Sequence, residues 1–458
     1  MRRMFACLAL LASTLALAGG PEDAVKTAQA LRDRALAGST AYAITESLTT
    51  EVGPRLAGTG ADARAVAWAQ AKFRELGFDK VYLEPVTFPV WRRGHETAQV
   101  LAPYPQPLVV TALGDSIGTG DAPVEAEVVQ FPDLAALEAV DDDRVRGKIA
   151  FIANRMDRTK DGSDYGKAVP ARSRGAVAAA KKGAVAVLIR SIGTGSDRFA
   201  HTGMMRYEDG TPKVPAAALS NPDADLLTQM LRRGEPVRLR LALDVGPDGE
   251  YTSHNVIGEI TGRELADEVV LIGGHLDSWD LGTGAVDDAA GIAITMAAAA
   301  LIGELDTPPR RTVRVVAFAN EEQGIYGANQ YAQAHAGEVD RHVLGAESDF
   351  GADRIYALRS KGIGADLAAA MARVLEPLGI AHETGDGDPG ADIGPMTKLG
   401  MPYVNLAQDG TRYFDLHHTA NDTLDKVDAK ALDQQVAAYA AMAYLAAQCG
   451  RTGCNGPP

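Results

Sequence analysis

Cysteine is scarce: the 458 residues hold three, Cys7 near the start and Cys449 and Cys454 at the far end. So few thiols exclude a disulfide-built scaffold, and two alone cannot make a structural zinc site. Basic charge is also short, since 45 Lys and Arg face 60 Asp and Glu for a formal charge of −15. Phosphate backbones are bound by clustered cations, so this balance excludes nucleic-acid binding through the general field of the chain. Beyond the first twenty residues no segment reads as an apolar run of the roughly 20 residues that span a bilayer. There is no internal repeat with a period of about 20 to 50 residues, and no low-complexity tract beyond local alanine richness. With 46% hydrophobic and 23% charged residues the chain is neither collagen-like nor disordered throughout. Its length suggests two or three domains.

Arg2 and Arg3 precede an apolar run from Met4 to about Leu17, which ends in the small-x-small triplet Ala16-Leu17-Ala18. These are the three parts of a secretory signal peptide, and the run is too short for a membrane anchor. Residues 1–18 are therefore expected to be cleaved, which places the protein in a secreted or periplasmic location with no membrane attachment. Cys7 leaves with the signal. In an oxidising compartment Cys449 and Cys454 are expected to form a small terminal disulfide, two unpaired surface thiols being the alternative.

From Pro21 to Leu76 the pattern is helical, with Ala65, Ala69, Phe73 and Leu76 at three- and four-residue spacing and Gly77 as a stop. A strand follows over 81–88, and Pro85 and Pro89 assign it to an edge, because proline cannot donate to a ladder. Between Val110 and Asp248 strands are expected at 124–131, 148–152, 184–189, 216–219 and 237–243, with helices at 169–182 and 222–232. Arg144 to Arg190 holds twelve Lys or Arg against three Asp. That stretch reads as a solvated basic face or as a surface attractive to acidic peptides. The segment 111–248 is expected to be a mainly-β, lid-like domain inserted into a larger one formed by 19–110 and 249–458. In the latter part strands at 269–272, 312–318, 343–346, 354–358 and 403–406 alternate with helices at 288–301, 324–336, 365–375 and 428–448. The fold class is α/β, a mixed, mostly parallel sheet flanked by helices.

In such sheets chemistry sits on loops beyond the carboxyl ends of the strands. Gly273-Gly-His275-Leu-Asp277-Ser278 follows one strand; Asp277 can accept the second ring N–H of His275, and the two also read as a plain hydrogen-bonded pair. Asp287-Asp288 opens a helix. One aspartate is explained as a cap, and two side by side are easier to understand if one faces a cation. Asn320-Glu321-Glu322-Gln-Gly follows the strand that ends at Phe318, so one carboxylate can bind metal while its neighbour takes a proton. Surface charge complementing a helix dipole is the alternative. Glu347-Ser-Asp349 and His417-His418-Thr-Ala-Asn-Asp422 complete the set. Each fragment has an ordinary structural explanation. Together, two histidines and three carboxylates with one carboxylate shared suit two adjacent Zn²⁺ ions.

These motifs resemble the co-catalytic zinc exopeptidases, the family of bacterial leucine aminopeptidases and glutamate carboxypeptidases, and most of all its plasma glutamate carboxypeptidase branch. The likeness runs from about Val52-Gly-Pro-Arg-Leu56 to the C-terminal helix. It implies two Zn²⁺ per chain: His275 and Asp349 on one, Glu322 and His418 on the other, and Asp287 bridging. His418 is preferred to His417 because the family's ligand lies four residues before the aspartate, here Asp422. Glu321 is implied as the general base, and a cis peptide bond after the bridging aspartate, at Asp287–Asp288. Asp277 is taken as the partner of His275, His417 as a donor to the developing oxyanion, and Asp392 as a weaker supporting residue. Segment 111–248 resembles a protease-associated domain. The implied activity is release of the N-terminal residue from dipeptides or short peptides by zinc-activated water. A carboxypeptidase or amidohydrolase on the same site, and an inactive zinc-bound binding module, are the alternatives. The family also implies a homodimer. Substrate contacts are expected from 388–413 together with the inserted segment.

Overall fold

A computed structural model describes residues 21–450; the segment read as a signal peptide and Cys454 lie outside them, while Cys449 is disulfide-bonded. The backbone of the molecule is a two-stranded antiparallel ribbon, Lys80–Ala102 against Arg238–Ile260. Pro85 and Pro89 lie on its outer strand, which among the described residues has a second neighbour only at Ala98–Val100, so both stand at the edge position their type favours. The strand outruns the expected 81–88. Irregularities at Pro89/Trp91, Arg93/Glu96 and Val100/Ala102 reset the register and scramble the alternation on which sequence reading depends.

The long strand Arg238–Ile260 serves two groups of strands. Its Val256–Ile260 end pairs with Val313–Ala317, and its Arg238–Leu241 end pairs with Val124–Glu127, both antiparallel. Residue 248 therefore falls inside an unbroken strand. On the Val256 side the order is Arg311–Phe318, Leu265–His275, His342–Glu347, Tyr403–Gln408, Ile355–Lys361, Ala381–His382. The first four run parallel and the last two run antiparallel to them, which is the mixed, mostly parallel sheet expected. On the other side Val124–Phe131, Ile149–Ile152, Ala186–Arg190 and Ala216–Leu219 are parallel, and Val110–Ala112 closes the edge. Here the mainly-β expectation needs correction. Parallel neighbours need crossovers, and helices Leu134–Ala139, Tyr165–Lys181 and Asn221–Leu231 pack in this part.

Helix Ala290–Gly303 crosses from strand Leu265–His275 to strand Arg311–Phe318. It is apolar all round and lies between the sheet and helices Ala41–Ser47 and Ala429–Gln448. Ala285–Gly303 does reach the length and hydropathy of a membrane span, contrary to the sequence reading, but 94% of that window is buried in the protein. Its alanines let the neighbouring helices approach closely, so this element is the centre of the core.

Candidate active site

Strands Leu265–His275, Arg311–Phe318 and His342–Glu347 are adjacent and parallel, with His275 opposite Phe318 and Gly273 opposite Glu347. Their loops therefore leave on the same side of the sheet and, with the segment that follows helix Tyr413–Leu416, bring His275, Asp277, Asp287, Glu321, Glu322, Asp349, His417 and His418 together. His275 Nε2 lies 3.1 Å from Asp287 Oδ1 and 3.5 Å from Asp349 Oδ1. His418 Nε2 lies 3.0 Å from Glu322 Oε2 and 3.4 Å from Asp287 Oδ2. Asp287 thus turns one oxygen toward each histidine. His417 Nε2 is 3.7 Å from Asp287 Oδ2, so distance to Asp287 barely separates the two histidines; contact with Glu322 belongs to His418.

The adjacent aspartates divide their work. Asp288 accepts from the backbone N–H of His275 and of Gly291, both at 3.1 Å, and so caps the core helix. Asp287 faces the cluster, and the Asp287–Asp288 peptide bond is cis, as the resemblance implied. Asp422 accepts from Val286 N and Asp287 N at 2.7 and 3.1 Å and holds the backbone that presents Asp287.

Asp277 does more than orient His275. His275 Nδ1 sits 3.1 Å from the Asp277 carbonyl and 3.6 Å from its carboxylate. The carboxylate instead accepts from Glu321 N and Glu322 N, at 3.0 and 3.4 Å. One side chain therefore ties a histidine loop to the glutamate pair. Asp277→Asn presents an amide N–H₂ to one of those N–H groups, and kcat/KM is expected to fall about 10- to 100-fold, measured by steady-state kinetics beside metal analysis.

Asp392 supports the site through its backbone: Asp392 N and Ile393 N donate to Glu347 Oε2 at 2.7 and 2.9 Å. Sequence reasoning gave Arg55 no role. It is fully buried and donates to the carbonyls of Leu276, Thr283 and Gly284 at 2.6, 2.7 and 3.0 Å, pinning the loop between His275 and Asp287. The only signal was its place in Val52-Gly-Pro-Arg55-Leu56. Asn320 and His418 have φ of 51° and 61°, left-handed values that bulky residues rarely adopt, and both lie at the site.

The fit of a cation rests on the donors. Asp287 Oδ2, Glu322 Oε1 and Asp349 Oδ1 are buried without a hydrogen-bond partner. Burial pushes Glu322 and Asp349 up, and the negative charge of Asp287 adds to this in both. Burial pushes His417 down to about 3, which keeps its imidazole neutral. Bare carboxylate oxygens and imidazoles around one point are the donor chemistry of a divalent metal site. The cluster opens on a cavity of about 580 Å³, lined by Glu321, Glu322, Asp349, His417 and His418, by residues from Asp388 to Tyr413, and by Asp161 to Arg206 of the inserted segment.

A buried cluster of His, Asp and Glu that can hold a metal, at the carboxyl ends of parallel strands, is the arrangement of a metal-dependent hydrolase. The sequence matches peptidase family M28 over residues 255–443. It is 36% identical over 404 residues to carboxypeptidase Q of Rattus norvegicus, covering 87% of this chain and 84% of that protein. The crystal structure of a peptidase M28 precursor from Shewanella amazonensis superposes with a TM-score of 0.92 at 51% identity, over 94% of this chain and 98% of that one. A zinc aminopeptidase from Bacillus subtilis shares the fold, with a TM-score of 0.65 at 21% identity over 91% of this chain and 97% of that one. The chain belongs to peptidase family M28.

Proposed function

We propose that the chain is an exported exopeptidase that holds two zinc ions and releases the N-terminal residue of dipeptides or short peptides. The observation that carries this reading is Asp287, whose Oδ1 faces His275 and whose Oδ2 faces His418. That arrangement gives one ligand set of His275, Asp349 and Asp287 and another of Glu322, His418 and Asp287. Zinc held by these residues supplies a lowered pKa for water and polarisation of a carbonyl oxygen. The carboxylate of Glu321, on the cavity wall, takes the proton of the attacking water and returns it to the departing amine nitrogen. Export rests on the N-terminal sequence pattern alone.

His417 is proposed as the donor to the developing oxyanion. Its ring stacks on that of His418, with centroids 3.5 Å apart, and it lines the cavity. Removing one such donor costs about 10²–10³-fold in kcat. His417→Ala is expected to lose activity in that range with metal content unchanged, and a normal kcat would remove the role.

The test of the whole reading is a panel of dipeptides and longer peptides, free, N-acetylated or C-amidated, with products read by mass spectrometry with and without chelator. Chelator-sensitive loss of one N-terminal residue, blocked by acetylation, supports it. Cleavage that survives acetylation and is blocked by amidation gives a carboxypeptidase instead.

A further inference from the structure

The basic stretch Arg144–Arg190 sorts itself by partner. Of its twelve Lys and Arg, nine reach a carboxylate. Arg144 and Arg174 are exposed. Arg172 is different: it is 7% exposed and has no carboxylate partner among the described residues. It lies on helix Tyr165–Lys181, and its Nη2 donates to the Tyr165 hydroxyl at 2.8 Å. Its Nε and Nη1 are buried with nothing to bond. A guanidinium cannot shed its proton, so a buried one needs an anion or a full set of acceptors.

Arg172 lines the same cavity as Glu321 and His418. A Cβ on Gly203 would stand 2.3 Å from Arg172 Nη1 and 2.8 Å from His418 Nδ1, and Gly203 has a φ of +129°. The guanidinium and the histidine thus meet across one bare backbone position that only glycine fills. No carboxylate of the cluster is within ion-pair distance of Arg172 among the described residues, so the cation remains free to take an anion from the cavity.

We propose that Arg172 receives the free carboxylate of the departing residue, the one immediately C-terminal to the bond that is cut. The proposal rests on the exopeptidase reading and deepens it. The one anion that every unblocked peptide carries is its C-terminal carboxylate, and charge-assisted N–H···O⁻ bonds are the stronger kind. Because Arg172 stands beside a proposed metal-binding histidine, that carboxylate lies one residue past the cleaved bond. A peptide that continues further, or ends in an amide, leaves the guanidinium unpaired.

The test uses the full-length metal-loaded protein and matched pairs of a dipeptide and its C-terminal amide. Wild type is expected to favour the free dipeptide by about 10- to 100-fold in kcat/KM, as one charge-assisted contact allows. Arg172→Met is expected to erase the preference by raising KM on the free dipeptide, with rates on the amide within about 3-fold of wild type. Arg172→Lys, which keeps the charge, is expected to retain part of it. Equal rates of wild type on dipeptide and amide overturn the proposal, as does an Arg172→Met variant that loses the same factor on both. If acetylated peptides are cut and amides are not, the N-terminal reading fails while the role of Arg172 stands. Calorimetric binding of the same pairs to Glu321→Gln protein reads the preference without turnover, and equal binding of dipeptide and amide there overturns the assignment.

Discussion

Glu321→Gln is expected to lower kcat by about 10²–10⁴-fold while KM and metal content stay near wild type. The substitution keeps the shape of the side chain and removes only its capacity to take a proton. The backbone around it is fixed independently, because Asp277 holds Glu321 N at 3.0 Å and Asn320 supplies the left-handed turn before it. Burial first, and then the charges of Asp349, Asp277 and Asp287, push the Glu321 carboxyl up to about 8, with His275 opposing. Cations held by the same ligands counter that repulsion and bring it down. Since the base form grows as pH rises, wild-type activity rises with pH through the pKa of this carboxyl, and the variant loses that limb. Stopped assays across pH with metal analysis check both parts. A variant that keeps more than about a tenth of wild-type kcat would assign the base to another group.

Asp287→Ala is expected to have the second large effect, and a different signature. Asp287 offers an oxygen to each half of the cluster, so its loss weakens both proposed metal positions at once. Lewis-acid stabilisation of several kcal/mol disappears with the metals, a loss of about 10³-fold or more. Metal content measured on the purified variant should fall with activity, whereas in Glu321→Gln activity alone should fall. The backbone contacts of Asp422 to Val286 and Asp287 are untouched by the change, so the fold is expected to survive. An Asp287→Ala protein holding two metals with most of its activity would refute the bridging role.

Much of the active half was legible because its signals are local. Apolar runs of four to eight residues mark buried parallel strands, and His, Asp and Glu just beyond them mark a site, since parallel strands turn their carboxyl ends to the same side. The helix at Ala365–Leu375 matches its expected span, and the strand and helix that flank Glu321 and Glu322 agree within two residues. Residue type alone did not choose between Asp287 and Asp288, because either can cap a helix; the family resemblance pointed to Asp287, and in the fold Asp288 meets Gly291 N while Asp422 holds the backbone of Asp287.

The rest depended on contacts between residues far apart in the chain, which no periodicity encodes. The ribbon of Lys80–Ala102 and Arg238–Ile260 is long because bulges absorb register errors, and bulges erase the alternation that announces a strand. Helix Ala285–Gly303 is apolar enough to span a membrane, and only the layers packed around it make it a core helix. Arg172 is one cation among twelve in its stretch by composition, and it is set apart because folding buries it against Tyr165 and His418 without an anion. Residue type and spacing thus specified the chemistry and the strands that present it. Burial and distance, which arise only when the chain closes on itself, selected which charges are paired and which are left free for a substrate.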